Sequence, residues 1–444
     1  MENQSTPQPD PQPAGWLKAV LGKLKQNLHL AIIISFTSLC ATITVAVWNN
    51  YKMDLRTENT RKQQEAQQER SRKLQEAQRE HDRLERLFES GRRRGRDFES
   101  RKQYEEAVKA YQTTQKDVTR AAMPKAWAEL QHLQGCALIH HASATRSPGL
   151  RARLLDDAVA AFDDALTVYT RDKFSEGWAD TQHWLGRARV IQAEASKGPT
   201  RDNLLNQAEQ ALHQAAEAYA DYSKGWANTQ SWLGRAWVNQ AETSTGPTRD
   251  DLLALAVQAF RQAAETYADR STDWAATQYG LGRAWLNQAE TSEKPTEDNL
   301  PARAERAFNR ALEAYTREES PQHWGNAQFG LGRALLKQAV TATEPERSPL
   351  LDKAEQAFRK ALEVRTRRDW PEDWALTQHH LGKTLHTQAL ASEGQPRVGP
   401  LTEAIRCFES SLGVHTNENF PGQHKETQEI LSETRRLLAE AEGT

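Results

Sequence analysis

Trp178, Trp226, Trp274, Trp324 and Trp374 recur at intervals of 48, 48, 50 and 50 residues, each followed by alanine or glycine and, seven positions on, by a Leu-Gly pair. A weaker copy begins 51 residues earlier at Trp127, and a last one at His424 keeps Thr427, Gln428 and Leu431 in register. Self-similarity at such a period marks an array whose units bury their apolar faces only against their neighbours. Function is therefore expected along an extended surface and not in a single pocket.

Within a unit the spacing predicts two helices. In WADTQHWLGRARVIQA the positions Trp178, Gln182, Leu185, Gly186, Arg189 and Ala193 form one helical stripe, helix A. After a short loop, Leu204, Leu205, Ala208, Leu212, Ala215 and Tyr219 form a second, helix B. The sequence places A helices near 124–143, 175–196, 223–244, 271–293, 321–343 and 371–392. Pro124, Pro321, Pro371 and Pro421 stand at their starts, where a missing N–H costs nothing. Pro199-Thr200 and Pro247-Thr248 in the A–B loops put a threonine where it can cap helix B. Glycine inside a helix costs about 0.5–1 kcal/mol relative to alanine. Its return at Gly186, Gly234, Gly282, Gly332 and Gly382 needs a compensating gain, and close approach to Ala208, Ala256, Ala304, Ala354 and Ala404 of helix B is the expected one.

These residues resemble the tetratricopeptide repeat, a helix-turn-helix family with Leu-Gly early in helix A and an Ala-aromatic-Ala series in helix B. Ala304, Phe308 and Ala311 match that series, as do Ala354, Phe358 and Ala361, and Gly95, Phe98, Tyr104, Ala107 and Tyr111 reproduce the family's spacing without extra residues. The resemblance covers about residues 88 to 442 and implies an all-α solenoid of stacked antiparallel helix pairs that binds a protein or an extended peptide in its concave groove. Two departures stand out. The units are about ten or more residues longer than the common form, and glutamine (Gln182, Gln230, Gln278, Gln328, Gln378) replaces an aromatic residue three positions before the Leu.

The N-terminal part differs in kind. Residues 1–15, rich in Gln, Pro and Ser, read as a disordered tail, and 16–27 as an amphipathic interfacial segment. Residues 28–48 contain no Lys, Arg, Asp or Glu, which predicts a transmembrane helix. Residues 49–90 form a charged helical stalk. Its seam of Leu74, Ala77, His81, Leu84 and Phe88 offers a short coiled coil and a route to a homo-oligomer, with a solvated single helix as the alternative. The solenoid then spans 91–423, and 424–444 form a capping helix. The expectation is a single-pass protein of a bacterial inner membrane with its repeats outside the cytoplasm, although basic residues flank the span almost evenly.

No phosphate loop, nucleophile elbow, HExxH or paired CxxC is present, so neither an enzyme nor a cofactor is expected. Among thirteen histidines the best cluster, His379, His380 and His386, lacks the i, i+4 spacing of a shared metal face, and no metal site is expected. A net charge of -2 gives no general affinity for nucleic acid. The basic run Arg92, Arg93, Arg94 and Arg96 reads as solvated.

One feature exceeds what packing requires. The residue after each Leu-Gly is Arg187, Arg235, Arg283, Arg333 and then Lys383. Four positions earlier stand His183, Ser231, Tyr279, Phe329 and His379. The resemblance implies that both slots face the groove, where a cation ladder edged by aromatic residues suits an acidic peptide or a C-terminal carboxylate. The same cations could instead pair internally, with Glu194, Glu242 or Glu290 seven positions on. The function expected is a membrane-anchored scaffold or assembly factor for a protein partner. The alternative is a regulatory or sensor subunit whose stalk oligomerises and whose repeats control a separate effector.

Overall fold

The computed structural model describes residues 28–220, 223–268, 270–291, 299–391 and 397–443, with side chains left aside at 28–35 and 291. The tail and interfacial segment expected at 1–27 lie outside the described residues. The chain divides into two compact units, Met1–Glu85 and Arg86–Thr444. Every regular element among the described residues is a helix.

The first unit is built on helix α1, which runs without a break over Leu28–Ser100. Its exposed surface carries a series of i, i+4 ion pairs, Glu58–Lys62, Arg61–Glu65, Glu69–Lys73 and Arg72–Glu76. Each such pair adds about 0.2–0.5 kcal/mol to an isolated helix. Leu74, the first residue of the expected heptad seam, is exposed.

The expected membrane span at 28–48 is overturned: among the described residues no helix is long and apolar enough to cross a membrane. A span needs about 20 predominantly apolar residues. The apolar character of α1 between Phe36 and Trp48 is diluted by Thr37, Ser38, Thr42 and Thr44, and the helix continues directly into Asn49, Asn50 and Lys52. The expected placement as a single-pass protein of a bacterial inner membrane, with its repeats outside, falls with the span.

The second unit is a helical-repeat array. After the last turns of α1 come α2 (Tyr104–Gln115), the A–B pairs α3 (Pro124–Ala144) with α4 (Pro148–Leu166), α5 (Ser175–Glu194) with α6 (Gly198–Ala218) and α7 (Lys224–Ala241) with α8 (Gly246–Thr266). Then follow α9 (Thr272–Thr291) with α10 (Leu300–Leu312), α11 (Pro321–Thr341) with α12 (Arg347–Leu362), α13 (Pro371–Ala391) with α14 (Val398–Leu412), and a last helix α15 (Pro421–Glu442). Each helix packs on its sequence neighbours. Each A helix also touches the A helix of the next unit, from α3–α5 through α13–α15, so the A helices converge on the inside of a curve.

The recurring tryptophan supplies part of the cement. Trp226 and Trp274 are buried, the first against Ala263, Tyr219 and Tyr267 and the second against Ala311 and Tyr315. Trp127, Trp178 and Trp374 are half-buried, each beneath an arginine seven positions earlier, Arg120, Arg171 and Arg367.

The glycine ladder is explained differently from the expectation. The B-helix alanines are fully buried, but it is the residue four further on that fills the space over most of the glycines. A Cβ at Gly234, Gly282, Gly332 or Gly382 would lie 2.7–2.9 Å from the ring of Phe260, Phe308, Phe358 or Phe408. At Gly186 the place is taken by Leu212 at 2.5 Å, with the Ala208 carbonyl at 3.1 Å. Glycine thus admits a large apolar side chain, whose burial contributes about 2–3 kcal/mol and outweighs the helix penalty.

The A–B loops also differ in detail. Helices α6 and α8 begin at Gly198 and Gly246, which take positive φ of 58° and 59°, conformations open to glycine at little cost. Thr200 and Thr248 therefore lie inside the first turn and do not cap it. Side-chain caps of B helices come instead from Ser147 and Asn299, and Ser223 caps the A helix α7.

The curve is tight enough for the array to meet itself. Arg146, after α3, pairs with Asp369, before α13, at 2.5 Å, and the Lys197 ammonium lies 4.9 Å from the centre of the Phe420 ring. Both contacts join positions 223 residues apart. A cavity of about 380 Å³ opens at the first of them, lined by Ser143, Arg146, Asn326, Arg365 and Trp370 among others.

Candidate functional site

The two slots singled out in sequence lie one helical turn apart on the A helices, and the structure gives them different jobs. The earlier slot links unit to unit. His132 Nδ1 lies 3.0 Å from Thr181 Oγ1, His183 Nδ1 3.0 Å from Thr229 Oγ1, Ser231 Oγ 3.4 Å from Thr277 Oγ1, and His379 Nδ1 2.8 Å from Thr427 Oγ1. Each threonine sits at one place in the next A helix and also donates to the carbonyl four residues back. Where the slot holds Tyr279 or Phe329 the contact becomes apolar: Tyr279 meets Phe308, and Phe329 meets Phe358 and His380. His183, Phe329 and His379 are buried in these seams. Burial holds the His183 imidazole down at a pKa of about 3, with Arg187 beside it adding to the shift, and that of His132 at about 4. Both rings are neutral at physiological pH.

The cation slot is paired from one unit to the next. Arg235 grips Glu194 with two bonds, Nε to Oε1 and Nη2 to Oε2, both 2.7 Å, and Asn239 donates to the same carboxylate at 3.2 Å. Arg283 donates to Glu242 at 2.7 Å and to Asn239 Oδ1 at 3.1 Å, while Arg201 reaches Glu242 from helix B at 2.7 Å. Arg333 pairs with Glu290, and Lys383 with Glu426 of α15 at 2.9 Å. The rule for Arg235, Arg283 and Arg333 is that the glutamate seven positions after one cation pairs with the cation of the following unit, whereas Lys383, with Val340 at that place in the unit before it, takes Glu426 of the unit after. Burial alone would raise the Glu194 carboxyl; Arg235, with Arg283 behind it, reverses this and holds it below the usual carboxylate range. Glu426 is held at about 2, first by its bond to His379 and then by Lys383.

Arg187 breaks the rule. The position in α3 equivalent to Glu194, Glu242 and Glu290 is Ser143, whose hydroxyl donates to its own helix at Ile139. Arg187 has no hydrogen-bonded acceptor among the described residues, and its Nε is buried without a partner. Its guanidinium carbon lies 4.5 Å from the centre of the Trp184 ring and 5.0 Å from that of Trp232, and Arg235 covers Trp232 at 4.7 Å. The result is a column of indole, guanidinium, indole and guanidinium on the inside of the curve. Burial lowers the Arg187 pKa to about 10, Arg235 adding to the shift while Cys136 and Asp273 oppose it, so the group stays charged. The column ends at the next units because Gly280 and Gly330 replace the tryptophan and admit Phe260 and Phe308.

A further buried cation escaped the sequence reading. Arg365 donates to Thr377 at 3.1 Å and Asn326 at 2.7 Å and lies over the Phe329 ring at 4.3 Å. Its slot holds Tyr315 one unit earlier and His415 one unit later, both buried, and an arginine at a buried aromatic slot was the available signal. Of the basic run, Arg92 bonds Glu129 at 3.0 Å and Glu89 at 2.7 Å.

No protein-family profile and no curated protein matches the chain. Among solved structures it is similar to the nuclear import adaptor Nro1 of S. pombe, at 13% identity over 68% of this chain and 99% of that one, TM-score 0.41. It is also similar to the C-terminal part of a TPR repeat-containing protein from Cytophaga hutchinsonii, at 11% identity over 78% and 98%, TM-score 0.39. A third is a circular tandem repeat protein, at 14% identity over 82% and 91%, TM-score 0.28. The description of this chain as a helical-repeat protein rests on its own helix pairing and register.

Proposed function

We propose that this protein is a binding scaffold, not an enzyme, and that it holds an extended segment of a partner protein along the concave face made by α3, α5, α7, α9, α11 and α13. The observation that carries the reading is the convergence of these helices, which brings Arg187, Arg235, Arg283, Arg333 and Lys383 into one row on the inside of the curve. Four of these cations are held by carboxylates of the array itself, so the row is built first as structure. His183, Phe329 and His379 serve the seams between units, and in this reading they shape the face from beneath while Tyr279, half-buried, remains within reach of a partner.

The test uses a photoreactive phenylalanine analogue in the full-length chain, placed in turn at exposed positions of α9 and α11 or of α8 and α10. Adducts with copurifying protein should map to the first pair. Adducts confined to the second pair would place the partner on the convex side and refute the proposal.

A further inference from the structure

We infer that the Trp184–Arg187–Trp232 column is a binding slot for a carboxylate of the partner, which supplies the one rung of the cation ladder that the chain leaves open. The inference rests on the scaffold reading and adds to it the chemistry of the contact. Its ground is a comparison the molecule makes with itself. In three successive units an arginine of the A helix meets a glutamate seven places after the preceding unit's cation. Arg187 occupies the same slot with the same approach, and the place of its glutamate is taken by Ser143, which is too short to reach across and is turned to its own backbone.

The Arg187 Nε is buried without an acceptor, and a buried donor of a charged group left unpaired is costly. The two indole faces hold the guanidinium plane in place and keep its edge for an incoming acceptor. Asp273, whose field favours the charged form of Arg187, is engaged by Lys224 at 3.4 Å. Each internal rung is a carboxylate, so the slot is shaped by repetition for the same group. An acidic side chain and a chain terminus both present it.

The slot is tested by fluorescence anisotropy on the full-length chain with dye-labelled, N-acylated peptides: tri-glutamate amide, tri-glutamine amide, and tri-glutamine with a free C-terminus. At least one carboxylate peptide should bind tenfold or more tightly than tri-glutamine amide. Preference for the first assigns the slot to side chains and preference for the last to a chain end, and either upholds it. Arg187→Gln should abolish the preference. Ser143→Glu, which leaves Arg187 in place and supplies the missing rung internally, should abolish it too while raising the melting temperature. Retention of the preference in Arg187→Gln, or a Ser143→Glu chain that matches the wild type in both affinity and melting temperature, overturns the assignment. Inorganic phosphate competing more strongly than acetate overturns the carboxylate class. If photoadducts on α9 and α11 persist while the slot fails these tests, the scaffold stands and the slot alone falls.

Discussion

Gly282→Ala separates a packing explanation of the repeated glycines from a purely conformational one. Phe308 is fully buried and its ring lies between two A helices: a Cβ at Gly282 of α9 would come within 2.7 Å of Cε1 and 2.8 Å of Cζ, and one at Gly330 of α11 within 2.5 Å of the same Cε1. The ring is rigid and cannot retreat from one glycine without running into the other. Overpacking a filled core costs about 1–3 kcal/mol, whereas alanine in place of glycine returns up to about 1 kcal/mol of helix propensity. The net loss should be about 1–2 kcal/mol. Gly149→Ala in α4 is the control, because nothing lies within 4 Å of its would-be Cβ, and it should be neutral or stabilising by a few tenths up to about 1 kcal/mol. The assay is urea unfolding followed by far-UV circular dichroism, with hydrogen exchange over α9, α10 and α11 to show that the loss is local. Adding Phe308→Ala should make Gly282→Ala nearly harmless, a coupling of about 1 kcal/mol or more. A Gly282→Ala chain as stable as Gly149→Ala, or strict additivity in the double variant, would refute the reasoning.

Acid should loosen the array through its buried histidines. Between the ordinary histidine value of 6.5 and the folded values of about 3 for His183 and 4 for His132, the unfolded chain binds protons that the folded chain refuses. Stability is therefore complete above pH 6.5 and falls with pH by about 1.4 kcal/mol per unit for each such ring; melting temperatures of His183→Gln should show a shallower decline, and an identical slope would contradict this. Glu194→Gln removes the charge from a solvent-accessible two-bond contact with Arg235 and from the Asn239 bond, and should cost about 0.5–1 kcal/mol, read as a lower urea midpoint. Arg235→Met in the same chain should recover part of that loss, and no recovery would argue that the pair is not coupled. Thr229→Val strips His183 of its bonding partner in the next A helix and should cost about 1 kcal/mol, whereas loss-free replacement would remove that bond from the seam.

Much of the array is legible in the sequence because its period is carried by residues that only one geometry satisfies. Tryptophan, Leu-Gly and the B-helix phenylalanines recur in fixed register, and helix starts at Pro124, Pro321, Pro371 and Pro421 coincide with the proline positions. What packs over the glycines was not legible, since alanine 22 places on and phenylalanine 26 places on repeat equally well and only coordinates distinguish them. The cation ladder showed its repetition but not its partners: Glu194 stands seven residues after Arg187 yet belongs to Arg235. The same ambiguity hid the role of His183 and His379, whose threonine partners lie 46 and 48 residues away. Residues 28–48 misled for a different reason. Absence of charge is not the same as apolar length, and among the described residues, where hydroxyls interrupt the apolar run between Phe36 and Trp48, no helix is long and apolar enough to cross a membrane.

The array curves back until the loop after α3 meets the loop before α13. That is measured by placing cysteines at the two ends of the ion pair, Arg146→Cys and Asp369→Cys, in a chain carrying Cys40→Ser, Cys136→Ala and Cys407→Ala, and treating it with a short bis-maleimide. Intramolecular cross-linking should be efficient in the native chain, should vanish in urea, and should be absent when the second cysteine is moved to Arg270, two units earlier. Native cross-linking no greater than in urea, or equal at both positions, would contradict a curved array in fixed register.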